Sequence, residues 1–332
     1  MVAINQQRFI LLAVFCILVT VYISYELLNW TYYTNYDYFD INSLKPNDYN
    51  NFKRNYIHTK RELELTKNII LEPKHRQCFY NHPIVIFIHS SGQSTGKYYE
   101  KRQVLRKTWV SDVKRYNISV YFVIALNTND TVNRDLMKES QEYSDIIQFP
   151  FHESYYNLTL KAIAILRWIC KNCPKHQLIL KVDDDVVVNI EILLQNLNKF
   201  DKTAIYGSVL RHIGPQRNIG HKWFISQSVY PSNQLPSYMN GPAYIMTYSA
   251  VISLLHTIDQ YNDHILDIDD LFITGVIAEK TGISRYDTTL IQSDGCLHVC
   301  DLYSTAIIYP CITSQKMTFL WNFFKNNSVF LL

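Results

Sequence analysis

The sequence predicts an α/β domain built on a largely parallel sheet, placed behind one N-terminal membrane-spanning segment. Three observations predict it. Strand-like and helix-like patterns alternate from His82 onward, one of those strands ends in three aspartates within "KVDDDVVVN" (181–189), and the chain begins with an uncharged apolar run. The 332 residues suffice for one large domain with appendages or for two ordinary domains. Apolar residues make up 48% and charged residues 18%, which excludes wholesale disorder. Thirty-two Lys plus Arg against 29 Asp plus Glu leave +3, and no basic run is present, so nucleic acid is set aside as a partner.

From Phe9 to Tyr25, "FILLAVFCILVTVYISY" is 17 residues without a charge, flanked by Arg8 and Glu26. The alternative is a cleaved signal peptide, but the run is long for one and no small-x-small site follows it. Arg8 on the short N-terminal side places Met1 in the cytosol and the rest across the membrane, a type II topology. The expected organisation is a cytoplasmic tail (1–8), a signal anchor (9–28), a stem (29–80), a lumenal domain (81–315) and a C-terminal tail (316–332). Sequons at Asn29, Asn117, Asn129, Asn157 and Asn326 agree with a secretory lumen. Beyond Cys16 in the anchor, six cysteines remain for the oxidising side, and their pairing is open.

The stem is rich in Tyr, Asn, Asp and Lys, with one helical piece, "TKRELELTKNIILE". At His82 the pattern changes. "PIVIFIHSS" reads as a buried strand and a polar loop, "KRQVLRKTWV" as a helix, "ISVYFVIAL" as a strand, "NRDLMKESQEY" as a helix and "DIIQF" as a short strand. "NLTLKAIAILRWIC" then puts Leu158, Ala162, Ile165 and Ile169 on one helical face, and "QLILKV" leads into the aspartates. In open α/β sheets ligands bind at the carboxyl ends of strands, which is where the acidic triplet falls. "CKNC" (170–173) joins a helix to a strand instead of opening a helix, so a redox dithiol is rejected.

Three adjacent carboxylates repel one another unless solvent or a cation neutralises them. In an extended segment Asp183 and Asp185 share a face while Asp184 points elsewhere, and such hard oxygen ligands suit Mg²⁺ or Mn²⁺ with positions left for phosphates. The plainer reading is an acidic turn after a strand. Asp269 and Asp270, before "LFITGVIAEKTG", read as a helix cap, with Gly282 ending that helix. "YPSNQLPSYMNGPAYIMT" is a Pro/Gly-punctuated loop entering a strand, followed by the helix "SAVISLLHTI".

Five blocks in order, "KRQVLRKTW", "DIIQFPFHESYYNLTLK", "KVDDDVVVN", "YPSNQLPSYMNGPAYIMT" and "DIDDLFITG", resemble the β1,3-galactosyltransferase and β1,3-N-acetylglucosaminyltransferase family, which includes the Fringe-like enzymes. The resemblance covers roughly residues 82–300. It implies a GT-A fold with a Rossmann-like, mostly parallel sheet flanked by helices. It also implies a UDP-sugar donor, a glycan acceptor on glycoprotein or glycolipid, Mn²⁺ dependence, inversion at the anomeric carbon, and residence in the Golgi membrane. Galactose is the leading donor sugar, ahead of N-acetylglucosamine and N-acetylgalactosamine.

Laid on matching positions, the resemblance makes Asp185 the direct metal ligand, with Asp183 or Asp184 contacting metal or donor ribose. It makes Asp270 the base that takes the proton of the attacking hydroxyl, with Asp269 beside it, and no covalent enzyme intermediate is needed. Tyr238, Asn240 and Gly241 become donor or acceptor contacts. Arg102 and Arg106, four apart on one helical face, are placed near the nucleotide, and Lys161 and Lys181 could offset the carboxylates or touch UDP. His298, in "CLHVC", is a further Mn²⁺ ligand by this resemblance; a zinc site with Cys296, Cys300 and Cys311 ranks below it in an oxidising lumen. The sequence departs from the family at Pro150 and Glu153, each in place of Asp, at Asp269 in place of Glu, and in "FVIAL", which lacks a Gly. Pro150 loses a charge and a backbone donor, a departure that a catalytically inactive glycan-binding relative would also show.

Overall fold

A computed structural model of the chain describes residues 57–74, 78, 82–92, 96–173, 177–292, 307–308 and 313–327. The expected tail, anchor and most of the stem lie outside them, as do His298, Cys296, Cys300 and Cys311. Among the described residues no helix is long and apolar enough to cross a membrane.

The alternation read from the sequence becomes a seven-stranded sheet. Its strands in chain order are β2 (Ile84–His89), β3 (Val120–Leu126), β4 (Ile146–His152), β5 (Leu178–Asp183), β7 (Ala204–Leu210), β8 (Tyr238–Thr247) and β10 (Ser284–Asp287); β1 (Ile57–His58), β6 (Val187–Val188) and β9 (Ile265–Leu266) lie outside it. The order across the sheet is β10-β7-β8-β5-β2-β3-β4. Only β8 runs against the rest, pairing antiparallel with β5 and β7. The mostly parallel sheet is therefore as expected, while β7 and β10 are additions that the sequence reading did not contain.

Helices cover both faces, which explains why the central strands are continuous apolar runs instead of alternating ones. Ile84, Ile86 and Ile88 of β2 enter one core with Leu105, Trp109 and Leu136. Val85 and Phe87 enter the other with Leu160, Ile163 and Ile169. The helices on the first side are α2 (Lys97–Lys107), α3 (Trp109–Arg115) and α4 (Asp130–Tyr143); those on the second include α5 (Leu158–Asn172) and α7 (Tyr248–Asp259). The single helix expected over 101–110 is broken at Thr108, whose hydroxyl donates to the Val104 carbonyl.

From β2 the chain steps outward to β3 and β4, then returns so that β5 pairs with the other side of β2. The strand order reverses between β2 and β5, and a crevice opens at such a switch point. Ser90 follows β2 there and Asp184 follows β5, and the Ser90 hydroxyl donates to Asp184 Oδ2 at 2.9 Å.

Two stretches that composition assigns to appendages pack on this domain. Residues 57–74 pair β1 antiparallel to β9, carry the short helix α1 (Lys60–Leu65), and hydrogen-bond Ile70 and Leu71 to Gln148 along the outer edge of β4. A Cys78–Cys173 disulfide follows, which leaves Cys170 as a free thiol and keeps "CKNC" from being a dithiol pair. At the other end, α9 (Ser314–Asn327) buries Met317, Leu320, Phe323 and Phe324 in the first core.

Pro150 lies in β4, the last strand of the sheet, where a missing backbone donor is tolerated. The β3–β4 register shifts there: Phe149 faces Ala125, and His152 faces Leu126.

Candidate active site

Asp183 is the last residue of β5, and its carboxylate is held by Lys181 Nζ at 2.6 Å. Lys181 Nζ also donates to the Gly241 carbonyl at 2.7 Å, reaching across from β5 to the antiparallel β8. On the far side of Gly241 stands Asp270: a Cβ built at Gly241 would lie 2.8 Å from Asp270 Oδ2. One lysine and one glycine thus join the acidic strand tip to the second acidic pair, 87 residues further along the chain. Gly241 was expected to approach a ligand; its side-chain space is instead filled by Asp270.

Asp270 caps the helix that follows, its Oδ1 accepting from the Leu271 N–H at 2.8 Å, so the capping expectation holds. That helix begins as a π-helical turn, Leu271–Ile277, continues as α8 (Ala278–Thr281), and ends on Gly282 at φ 74°. Thr274 accepts from the Met239 N–H at 2.8 Å, fixing this turn against β8.

The charges are poorly balanced. Burial, the neighbouring Asp269 and Asp183 push the Asp270 carboxyl up to about 7, against the Leu271 N–H and Lys181. Asp183 is likewise pushed up to about 7 by burial, by Asp185 and by Asp269, although Lys181 opposes the shift. Burial and Asp184 raise Asp185, against Lys101. Burial lowers Lys181, but Asp183 and Asp269 outweigh it and hold the ammonium firmly protonated.

Asp184 and Asp185 form a turn after β5, closed by the Val186 N–H to the Asp183 carbonyl at 3.3 Å, so the segment is not extended here; Asp184 makes a buried contact with Lys101 Nζ at 2.7 Å and with Ser90. Lys101 reaches Asp185 Oδ2 at 3.4 Å as well. Asp185 Oδ1 is buried with no hydrogen-bond partner.

Asp183 and Asp185, each already facing one lysine, therefore offer hard oxygen donors and one orphaned oxygen at the strand tip. That is the donor set a Mn²⁺ or Mg²⁺ ion takes when substrate phosphates complete its shell. Among the described residues no group of three or more His, Cys, Asp or Glu side chains is arranged as a full metal cage. The two carboxylates fit a partial shell.

Four of the expected donor contacts are engaged by other groups of the protein. Arg102 is fully buried and binds Glu139 through Nε (2.8 Å) and Nη2 (2.7 Å), while Nη1 donates to the Ser91 carbonyl. Arg106 is shared between Glu139 (2.7 Å) and Asp145 (2.8 Å) and stacks on Tyr143 at 4.0 Å. Lys161 donates to Glu153 Oε1 (2.7 Å) and to the Ser90 carbonyl (2.8 Å). Asp184 is occupied as above. Spacing put these charges near the crevice; burial spends them on one another. Glu153 Oε2 accepts from the Ala125 and Gly92 N–H groups, so the family departure at this position ties the ends of β2 and β3 together.

Several residues beside the acid pair escaped the sequence reading. His89 ends β2 with Nδ1 4.0 Å from Asp269 Oδ2, and neither the ring nitrogens nor that oxygen has a hydrogen-bond partner. Burial, Lys181 and Lys161 hold His89 well below the usual histidine range, so the ring is neutral. The Tyr155 hydroxyl accepts from Trp223 Nε1 at 2.8 Å. Position at a strand end was the one available signal for His89; Lys101 had none, since its carboxylate partner lies 83 residues away. Tyr238 and Asn240 stand at the start of β8, half-buried, and burial with the Asp270 charge pushes the Tyr238 hydroxyl up to about 12.

An α/β sheet that gathers two carboxylate pairs about Lys181 and Gly241 defines an enzyme of the glycosyltransferase class when set beside the following sequence similarities. The chain belongs to the galactosyltransferase family, whose model matches residues 100–289. Beta-1,3-galactosyltransferase 1 of Mus musculus is 27% identical over 259 residues, covering 76% of this chain and 77% of that one. N-acetyllactosaminide beta-1,3-N-acetylglucosaminyltransferase 4 of Homo sapiens is 32% identical over 232 residues, covering 67% of this chain and 61% of that one. Enzyme 2 of the same name is 30% identical over 245 residues, covering 69% and 60%. Among solved structures, the galactosyltransferase LgtC with donor and acceptor sugar analogues superposes at a TM-score of 0.35 and 11% identity, covering 72% of this chain and 95% of that one.

Proposed function

We propose that the protein is a GT-A-type, Mn²⁺-dependent inverting transferase that moves a hexose, galactose first, from a UDP-sugar to a glycan acceptor in β1,3 linkage. The observation that supports this reading is the Lys181–Gly241 junction, in which Lys181 binds both Asp183 and the Gly241 carbonyl while Asp270 packs against Gly241. Asp270 accepts the proton of the acceptor hydroxyl as that oxygen bonds to the anomeric carbon, and the bond from that carbon to the diphosphate breaks to release UDP. When bound at Asp183 and Asp185, Mn²⁺ supplies positive charge against the diphosphate. Lys101 and Lys181 orient the aspartates, and neutral His89 stands beside Asp269. A Golgi type II setting, with residues 9–28 as anchor and the domain lumenal, fits the sequons and the Cys78–Cys173 disulfide.

A second reading differs only in the donor. Relatives named as N-acetylglucosaminyltransferases are 30% and 32% identical, so N-acetylhexosaminyl transfer by the same residues is the alternative.

The test is UDP release by the full-length chain from UDP-galactose, UDP-N-acetylglucosamine and UDP-N-acetylgalactosamine, with Mn²⁺ or with chelator. Transfer should require the metal and drop by about 10²- to 10⁴-fold in Asp270→Asn. A rate indifferent to both chelation and Asp270→Asn rejects the mechanism.

A further inference from the structure

Beside the acid pair lies an aromatic surface that the catalytic reading leaves unused. Tyr155 and Trp223 are 49% and 46% exposed, a high value for side chains of this size. Tyr155 follows β4 at the carboxyl end of the sheet, and Trp223 comes from the long loop between β7 and β8. They meet through the Trp223 Nε1 hydrogen bond to the Tyr155 hydroxyl at 2.8 Å, so each ring's polar atom is satisfied by the other; Lys222 and His221 cover part of the indole, and about half of each side chain stays exposed.

The loop is braced from within. Arg217 donates to the carbonyls of Ile225, Tyr230 and Ser232, each at 2.8 Å, and the Gln216–Phe224 bridge closes the segment that carries the indole. A large aromatic held this way loses little freedom on binding, which favours a contact surface.

Its address is also informative. Beyond burial, the charges that act on the Tyr155 hydroxyl are those of Asp269, Asp270 and Asp183, in that order. Geometry agrees: His58, in the strand β1 that pairs with β9 just ahead of Asp269, hydrogen-bonds the Tyr156 backbone, which sets the aromatic pair on the Asp269–Asp270 side.

We infer that Tyr155 and Trp223 form the acceptor subsite, stacking a hexopyranose ring by its C–H face so that one hydroxyl of that ring is turned toward Asp270. Tyr and Trp offer broad, polarisable faces that match the apolar face of a pyranose, while the ring hydroxyls stay at the edge for hydrogen bonding. Lys222, with Nζ 4.5 Å from the indole centroid, rims the platform with positive charge. The inference rests on the transferase reading, and it adds the residues that would choose the acceptor.

The experiment is saturation-transfer NMR on the full-length chain in detergent micelles with UDP present. Lactose, N-acetyllactosamine and benzyl β-N-acetylglucosaminide are the probes. At least one should receive saturation on its C–H face from the wild-type chain, and its Kd should rise about tenfold in Trp223→Ala. Trp223→Phe, which keeps a ring, should recover most of the binding. Ile219→Ala, an exposed change in the same loop, controls for loop distortion and should bind as wild type does. No saturation of any probe by the wild-type chain, or equal binding by wild type and Trp223→Ala, overturns the subsite. UDP release by the wild-type chain is scored separately: its absence sinks the transferase reading while the glycan-binding result stands or falls by itself.

Discussion

Asp270 holds a helix end and faces the crevice with the same carboxylate: Oδ1 caps Leu271, and Oδ2 lies over Gly241. The double use explains why the residue must sit where burial pushes it up to about 7. A base works only when deprotonated, so transfer should climb as pH rises through about 7 and fall away below it; a rate profile flat from pH 6 to 8 would contradict this assignment. Gly241 permits the arrangement. In Gly241→Ala the added Cβ would meet Oδ2 at 2.8 Å, and the strand and the helix cap resist its retreat. A displacement of about 1 Å at a reacting group can cost about 10²-fold in rate. Gly241→Ala is therefore expected to lose about that much turnover while remaining folded, as read by kinetics beside a thermal melt. The sequence made both residues visible, but as separate motifs; that one makes room for the other is a tertiary fact.

At the level of elements, α2 is the clearest case of a helix whose charges misled. Arg102 and Arg106 share a face, as their spacing requires, but the face is turned to α4 and the start of β4, where Glu139 and Asp145 wait. No local signal distinguishes a guanidinium aimed at phosphate from one aimed at a buried carboxylate 33 to 39 residues away. Burial by itself would raise the Glu139 carboxyl, but the hydrogen bonds and charges of Arg102 and Arg106 outweigh it and hold it below the usual range. Its stabilisation is thus present above the unfolded-state value and disappears as pH falls through the lower folded one. Glu139→Gln, which strips Arg102 of its carboxylate partner and Arg106 of one of its two, should cost about 3–5 kcal/mol and show as a lower melting temperature at neutral pH. An unchanged melt would mean that the network contributes nothing to holding α2 on α4.

For the molecule as a whole, five of the seven sheet strands and most helices were legible because buried strands and amphipathic helices leave periodic traces in sequence. β2, β3 and β5 fall within two residues of the ranges read from "PIVIFIHSS", "ISVYFVIAL" and "QLILKV". The reversed direction of β8, the edge pairing of residues 70 and 71, and the docking of α9 were not legible, since each depends on which distant surface a segment meets. Residues 57–78 are the instructive case. Their polar, aperiodic composition resembles a spacer, yet β1 zips onto β9 three residues ahead of Asp269, and Cys78 is bolted to the end of α5. A shortened chain that starts at residue 82 should melt earlier and transfer more slowly than one that starts before Ile57. Equal behaviour of the two would show that the lead is dispensable. The attachment also gives the lead a mechanical meaning: tension applied upstream of Ile57 would pass through the β1–β9 pairing as a tug on the backbone just before the acid pair.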